Sequence, residues 1–482
     1  MDAIAYGSLQ FFTVYGSNRV SMETVKPTII PRAAHPISRS MVSPNALRVL
    51  YKLRDQGFIS YLVGGCVRDL LLGREPKDFD VVTDATPGQL KRLFRNCRLV
   101  GRRFRLAHIH FQDELIEVAT FRALEADDGA EETVGGGETT PPSPDAGASP
   151  RSPRHLKSDE GMVLRDNVFG NPREDAMRRD FTVNALFYNI ADFSLIDYAG
   201  GMADLQAGVI RTIGDPLVRF TEDPVRMLRA VRFAAMLGLD MEPETWQAIL
   251  ELAPTISRAT PPRLFDEMLK LLLLGEGEKS YQLLRKTGLF APLFPHFNEW
   301  LDTETGGFPH TRVSHALDRI DALVQQGEAV APPLLLALLF GEYLEESAAA
   351  FRQGGAPPQE ALNQAVAGWL GELAPTVLVP NRIGMQVRDI LASQQRFLKM
   401  PGKRPQSFLG RPGFPVALAY LRLRAEMGEG GDDVWSWWDN YSRENVVAIP
   451  PSGAAGQEGA PPAGKRRRRR RRKPRTGAPA PR

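Results

Sequence analysis

The sequence predicts an α/β head followed by an all-α remainder, and three observations carry this. Short apolar runs of strand type, set between glycine turns and short helical stretches, concentrate between residues 57 and 122. Beyond about residue 205 the apolar residues recur with helical spacing and strand signals thin out. No repeat of fixed period is visible, which weighs against a solenoid.

Taken in chain order, residues 1–42 read as an irregular leader, with Met22 an alternative start. "SPNALRVLYKLRDQG" reads as a helix with Ser43 as N-cap, Pro44 at its first position and Gly57 past its end. "FISYLVGG" is a strand running into a glycine turn, "VRDLLLG" a short helix closed by Gly73, and "FDVVTDA" a second strand. Thr86 and Pro87 open another helix, and "AHIHF" with "ELIEVATFR" alternates as a β-hairpin. Residues 125–160 are acidic, rich in Gly, Pro and Ser, and read as a disordered insertion. Helices are expected at 224–237, 243–253, 261–274, 278–287, 315–326, 332–345, 359–372, 383–397 and 413–426. The expected divisions are a head at 43–205, a helical neck at 206–290, a helical body at 291–445 and a disordered tail at 446–482.

A chain of 482 residues suffices for two or three domains. No run of 18 apolar residues exists and no basic segment precedes an apolar one at the N-terminus, so neither a membrane span nor secretion is expected. Two cysteines, Cys66 and Cys97, suit a reducing cytoplasm and exclude a disulfide scaffold. Residues 465–482, including Arg466, Arg467, Arg468, Arg469, Arg470, Arg471 and Arg472, hold eleven positive and no negative charges; against the total of +3 this leaves −8 for the rest. Such a block is either a solvated tail or a polyanion grip, and counterion release favours nucleic acid.

In "YLVGGCVRDLLLGREPKDFDVVT" side chains alternate along the second strand, so Asp78 and Asp80 share a face, roughly 6.5 Å apart. Two such carboxylates can converge on hard cations. Gly64 and Gly65 let the backbone approach a ligand closely, the following helix aims its N-terminus at that turn, and Arg68 adds a fork suited to phosphate. A phosphate cradle beside a metal pair is what phosphoryl transfer needs. The bland alternative is a tight strand–helix turn with a surface Arg–Asp pair.

The residues LVGG-x-VRDLLLG-x₄-DFD resemble motif A of the class II nucleotidyltransferases, which include the bacterial poly(A) polymerases and the enzymes that add CCA to tRNA. The resemblance implies a head built on a small mixed sheet. It implies that Asp78 and Asp80 hold two Mg²⁺ ions and that Gly64, Gly65 and Arg68 hold the triphosphate. "RRDFTVNALFY" resembles the second motif, which makes Arg179 a phosphate contact and Asn184 a nucleotide contact, and adds Asp180 to the catalytic acids; Asp180 and Asn184 are expected on one helix face. "EDPVRMLRAVRFAA" resembles the base-recognition motif, with Glu222, Asp223 and Arg226 selecting the base. There Asp223 also reads as a helix N-cap, and Arg226, Arg229 and Arg232 as a phosphate-facing or solvated ridge. Glu117 is a candidate third carboxylate, whereas His108, His110, Trp435, Trp437 and Trp438 read as structural.

Three features separate the branches of the family. The leader "IIPRAAHPISRSMVSPNALRVLYKL", the stretch "LFRNCRLVGRRFRLAHIHF" and the Arg-rich tail are similar to the poly(A) polymerase pattern. The resemblance therefore implies template-independent addition of AMP from ATP to RNA 3′ ends. The expected setting is a cytoplasmic monomer that meets no membrane, with RNA-degradation machinery or an RNA chaperone as partner. CCA addition to tRNA is the first alternative, and a non-catalytic RNA-binding adaptor the second.

Overall fold

The computed structural model describes residues 26–101, 105–123, 156–157, 163–165, 169–303, 307–308, 311–400 and 405–445. The tail at 446–482 and nearly all of the 125–160 insertion lie outside the described residues.

The head carries β1 (Thr28–Ile30), α1 (Pro44–Asp55), β2 (Ser60–Val63), α2 (Gly65–Leu71), β3 (Asp80–Thr83), α3 (Pro87–Leu93), β4 (Cys97–Val100), β5 (Leu106–His110) and β6 (Leu115–Thr120). It continues with β7 (Leu156–Lys157), β8 (Val163–Arg165), α4 (Pro172–Met177), β9 (Leu186–Asn189), β10 (Leu195–Asp197) and α5 (Gly201–Ala207). Eight strands form one mixed sheet in the order β1-β10-β9-β2-β3-β6-β5-β4. Only the β3–β6 pair is parallel. Period-two alternation splits the sheet's apolar residues between two faces. Leu62 and Val81 join the core beneath α1 and α2, while Val63 and Val82 join Phe121, Phe187 and Ile196 on the other side.

Local sequence sets the helix starts as expected. Ser43 accepts from the Asn45 and Ala46 amides ahead of Pro44, and Thr86 with Gln89 forms a capping box ahead of Pro87. Four expectations need correction. The leader is not wholly irregular, because Thr28–Ile30 pairs with β10 and becomes a sheet edge. The insertion is not wholly without structure, because Leu156–Lys157 pairs with Val163–Arg165. The second strand starts only at Asp80, so Asp78 precedes it and exposes its side chain. Asp180 and Asn184 do not share a helix, since α4 ends at Met177 and Asn184 closes a 3₁₀ turn over Thr182–Asn184.

The remainder is helical apart from β11 (Val209–Ile210) and β12 (Asp240–Met241). Its first helices are α6 (Pro216–Glu222), α7 (Val225–Leu237), α8 (Pro243–Leu252), α9 (Pro261–Leu272), α10 (Gly277–Lys286), α11 (Phe290–Leu293) and α12 (Pro295–Leu301). There follow α13 (Arg312–Gln325), α14 (Pro332–Gln353), α15 (Pro358–Leu373), α16 (Asn381–Phe397), α17 (Pro405–Leu409), α18 (Phe414–Glu426) and α19 (Asp432–Glu444). Each of the nine expected helices is present, and α14 runs eight residues past its expected end. One apolar core is continuous from Ile37 in the head to Leu423 in α18. A separate cluster at the C-terminal end buries Trp438, whose indole N–H donates to the Phe397 carbonyl at 2.9 Å; this tryptophan is structural, as expected. Among the described residues no helix is long and apolar enough to cross a membrane.

Candidate active site

The sheet register gathers the motifs at one end. Because β2 and β3 run antiparallel with Leu62 opposite Val81, the turn after β2 lies beside the start of β3. That sets Gly64–Gly65 next to Asp80. On the other side of β2, Val63 pairs with Phe187, which brings the segment before β9 to the same end. Gly64 adopts a positive φ of +78°, closed to most side chains, and its amide donates to the Leu186 carbonyl. A Cβ there would stand 3.4 Å from the Arg179 guanidinium, so Arg179 lies over the glycine turn.

Asp80 is crowded by like charge. Burial, and then the charges of Glu117 and Asp78, push its carboxyl up to about 6, against the pull of Arg179. Glu117 stands opposite Asp80 on β6 with its carboxylate 3.2 Å from His108 Nε2, so one row crosses β3, β6 and β5. Among the described residues no group of three or more His, Cys, Asp and Glu side chains is placed to hold a metal ion. A cation at this end would therefore complete its shell from substrate phosphate and water, as Mg²⁺ commonly does. The oxygen donors and the repulsion between them suit a hard divalent cation.

Arg68 is 3 % exposed. It donates to Asn184 Oδ1 at 2.7 Å and to Asp69, and its guanidinium lies over the Phe233 ring. In this arrangement it positions Asn184. Asp180 accepts from Arg229 at 2.7 Å, from the Asn184 amide at 3.3 Å and from its own neighbouring backbone. Burial alone would raise its carboxyl, but the Arg229 charge and these bonds hold it at about 2. Asp180 therefore ties the head to α7. Arg179 pairs with Asp175 at 2.8 Å.

The residues expected to recognise the base sit where α6 meets α7. Glu222 accepts from Arg219 at 2.8 Å and from Arg226 at 3.2 Å. Asp223 is not an N-cap; it ends α6, and both of its oxygens accept from Arg263 on α9. The arginine ridge on α7 is neither solvated nor free for phosphate, because Arg226, Arg229 and Arg232 pair with Glu222, Asp180 and Glu267.

Sequence reasoning missed the wider basic cluster. Burial, followed by the charges of Arg122, Arg219, Arg226 and Arg179, pushes the Arg178 guanidinium down to about 9. Burial and Arg226 push Arg219 down to about 10. Arg122, Arg178, Arg179, Arg219 and Arg226 thus lie close together, with Arg179 already paired to Asp175 and Arg219 and Arg226 to Glu222. The signal was present in part, since Arg178 opens the second motif and Arg219 lies three residues before the third. The arginines Arg466 through Arg472 lie outside the described residues.

Residues 60–211 match the model of the poly A polymerase head domain, and residues 354–474 that of the polymerase A arginine-rich C-terminus. Residues 238–301 match a model described as the probable RNA- and SrmB-binding site of polymerase A. The chain is 44 % identical to poly(A) polymerase I of Escherichia coli O157:H7 over 88 % of its own length and 87 % of that protein's. It belongs to the poly(A) polymerase family. Poly(A) polymerase I of Haemophilus influenzae is 43 % identical over 86 % of this chain and 88 % of that protein. The CCA-adding enzyme of Lactobacillus johnsonii is 34 % identical over only 51 % of this chain and 54 % of that enzyme. Among solved structures, a Bacillus stearothermophilus CCA-adding enzyme in complex with CTP matches at a TM-score of 0.53 and 26 % identity, covering 83 % of this chain and 82 % of that one. A tRNA nucleotidyltransferase with a primer tRNA and an ATP analogue matches at 0.52 and 23 %, covering 83 % of this chain and all of the other, and at that identity shares the fold alone. Membership makes the chain a nucleotidyltransferase of the poly(A) polymerase kind, with the CCA-adding enzymes as more distant relatives.

Proposed function

We propose that this chain adds AMP from ATP to RNA 3′ ends without a template, using the site at the β2–β3 end of the sheet. The single observation that carries the reading is the extent of sequence likeness to poly(A) polymerase I. It runs at 44 % identity over 88 % of the chain, whereas the sequence likeness to CCA-adding enzymes covers only about half of it.

Asp78 and Asp80 would hold divalent cations, Mg²⁺ being the expected species. The chemistry supplied there when these are bound is a lowered pKa at the RNA 3′-hydroxyl and neutralisation of the departing pyrophosphate. The chain's own residues do the rest. Gly64 and Gly65 give the triphosphate room against the backbone, and Arg179 neutralises it from above the turn. Arg68 fixes Asn184 toward the nucleotide, and Asp180 keeps the loop between them anchored on α7. Glu222, Asp223 and Arg226 read the base by complementary donors and acceptors, which favour adenine.

The basic segment at 465–472 would grip RNA by charge, and the helical body would guide it. A cytoplasmic monomer working beside RNA-degradation machinery or an RNA chaperone completes the proposal, and sedimentation at micromolar concentration tests the monomer. The function itself is tested by supplying one RNA with ATP or CTP alone and Mg²⁺. Extended tails of AMP support it, and a C-C-A addition that then stops refutes it.

A further inference from the structure

Arg219 lies outside the three family motifs, yet it is bonded to two of them at once. Its Nη1 donates to Glu222 Oε2 at 2.8 Å. Its Nη2 donates to the backbone carbonyls of Arg178 and Arg179, the latter at 2.9 Å. In turn, Arg226 Nη1 donates to the Arg219 carbonyl at 2.9 Å and to the same Glu222 oxygen. The Arg219 side chain is 14 % exposed, and Glu222 16 %. One rigid, nearly buried fork thus joins the base-reading end of α6 to the phosphate-side loop that carries Arg179 and Asp180. Asp223, next in sequence to Glu222, is held through both carboxylate oxygens by Arg263.

We infer that Arg219 is a positioning residue that fixes the span between base-reading groups and phosphate grip, and so sets the preference for a purine over a pyrimidine nucleotide. The inference rests on the proposed nucleotidyl transfer at this site. A purine and a pyrimidine differ in the distance from their Watson–Crick edge to the phosphates. A site whose two ends are held at one spacing therefore pairs fully with only one size of base, and leaves buried polar groups unmatched with the other. The planar fork matters as much as its charge, because it donates in two directions at fixed geometry. The Nε–H of Arg219 is buried without an acceptor. The guanidinium is thus held in place by Nη1 and Nη2 alone, and a side chain lacking either donor cannot keep the span.

Two variants of the full chain, Arg219→Gln and Arg219→Lys, test this through equilibrium titration of ATP and of CTP, with Mg²⁺ and without RNA. Melting temperature and RNA affinity are measured beside them. In both variants the ratio of CTP to ATP dissociation constants is expected to fall at least about tenfold, while RNA affinity holds. A tie that only stabilises the fold would lower the melting temperature and weaken both nucleotides alike; a ratio within about threefold of the parent chain overturns the inference. Full recovery of the ratio in Arg219→Lys would show that charge suffices, and would overturn the role of the fork. Arg219→Lys keeps the buried charge and supplies the reading if Arg219→Gln does not fold. AMP incorporation by the parent chain is scored separately: its absence would sink the proposed function, whereas the nucleotide ratio decides the role of Arg219.

Discussion

Asp80 shows how much one residue can report. Its carboxyl is raised to about 6 by burial and then by Glu117 and Asp78. A carboxyl with a raised folded pKa binds more protons folded than unfolded between roughly pH 4 and 6. The metal-free protein should therefore lose on the order of 3 kcal/mol from this group as the pH rises through that window. Asp80→Asn removes the repulsion and is expected to raise the melting temperature of the metal-free chain at pH 7 while abolishing AMP incorporation. Mg²⁺ should raise the melting temperature of the parent chain and leave that of Asp80→Asn nearly unchanged. Substantial residual transfer by the variant would sink Asp80 as an essential acid. At this scale the sequence was informative wherever chemistry and spacing coincide in a short stretch. Asp78, Asp80 and the glycine turn could be found that way. Arg219 could not, because the carbonyls it holds lie about forty residues away in sequence.

The elements around the site are held by contacts that restrict single positions. Gly201 begins α5 against the turn that carries Asn184, and a Cβ there would lie 2.1 Å from the Thr182 carbonyl oxygen. Gly201→Ala must push that turn aside, so a loss of about 1–3 kcal/mol is expected. Weakened ATP binding should accompany it, and a chain of unchanged melting temperature and affinity would contradict this packing. The loop also depends on Asp180. Its folded carboxyl, at about 2, lies below the ordinary value because Arg229 and Asn184 outweigh the opposing effect of burial. Its contribution, on the order of 2 kcal/mol, is present above about pH 4 and lost as the pH falls toward 2. Asp180→Asn should therefore flatten acid unfolding in that window, and an identical acid titration would refute the Arg229 tie. Helices were legible because Ser43, Thr86 and the many leading prolines mark their starts. Strands β1 and β10 were not, since three-residue edges such as Thr28–Ile30 gain their structure from a partner far along the chain. The Asp180–Asn184 turn was misread as a helix because a four-residue spacing alone does not show where a helix ends.

Across the whole molecule, a mildly acidic body has two concentrations of positive charge: the arginines clustered around Arg178 and the block at 465–473. In the proposed function the first lies at the nucleotide site and the second grips an RNA backbone. Deleting residues 465–482 should weaken RNA binding and flatten its salt dependence, by roughly 0.7 in the logarithmic slope for each RNA phosphate the segment neutralises. AMP transfer at saturating RNA should persist, and an unchanged salt slope would make the segment a solubility device. The α/β head and helical remainder could be read from the change in apolar periodicity near residue 205. The single core that fuses them could not, because it depends on how α7, α9 and α10 pack together. The central claim is the transfer of AMP to RNA at the β2–β3 end of the sheet. The most direct test incubates one RNA with Mg²⁺ and either ATP or CTP, using the parent chain and Asp80→Asn. Long AMP tails from the parent chain, little CMP, and no product from the variant are the predicted result; CMP addition in a defined C-C-A order that then stops would contradict it.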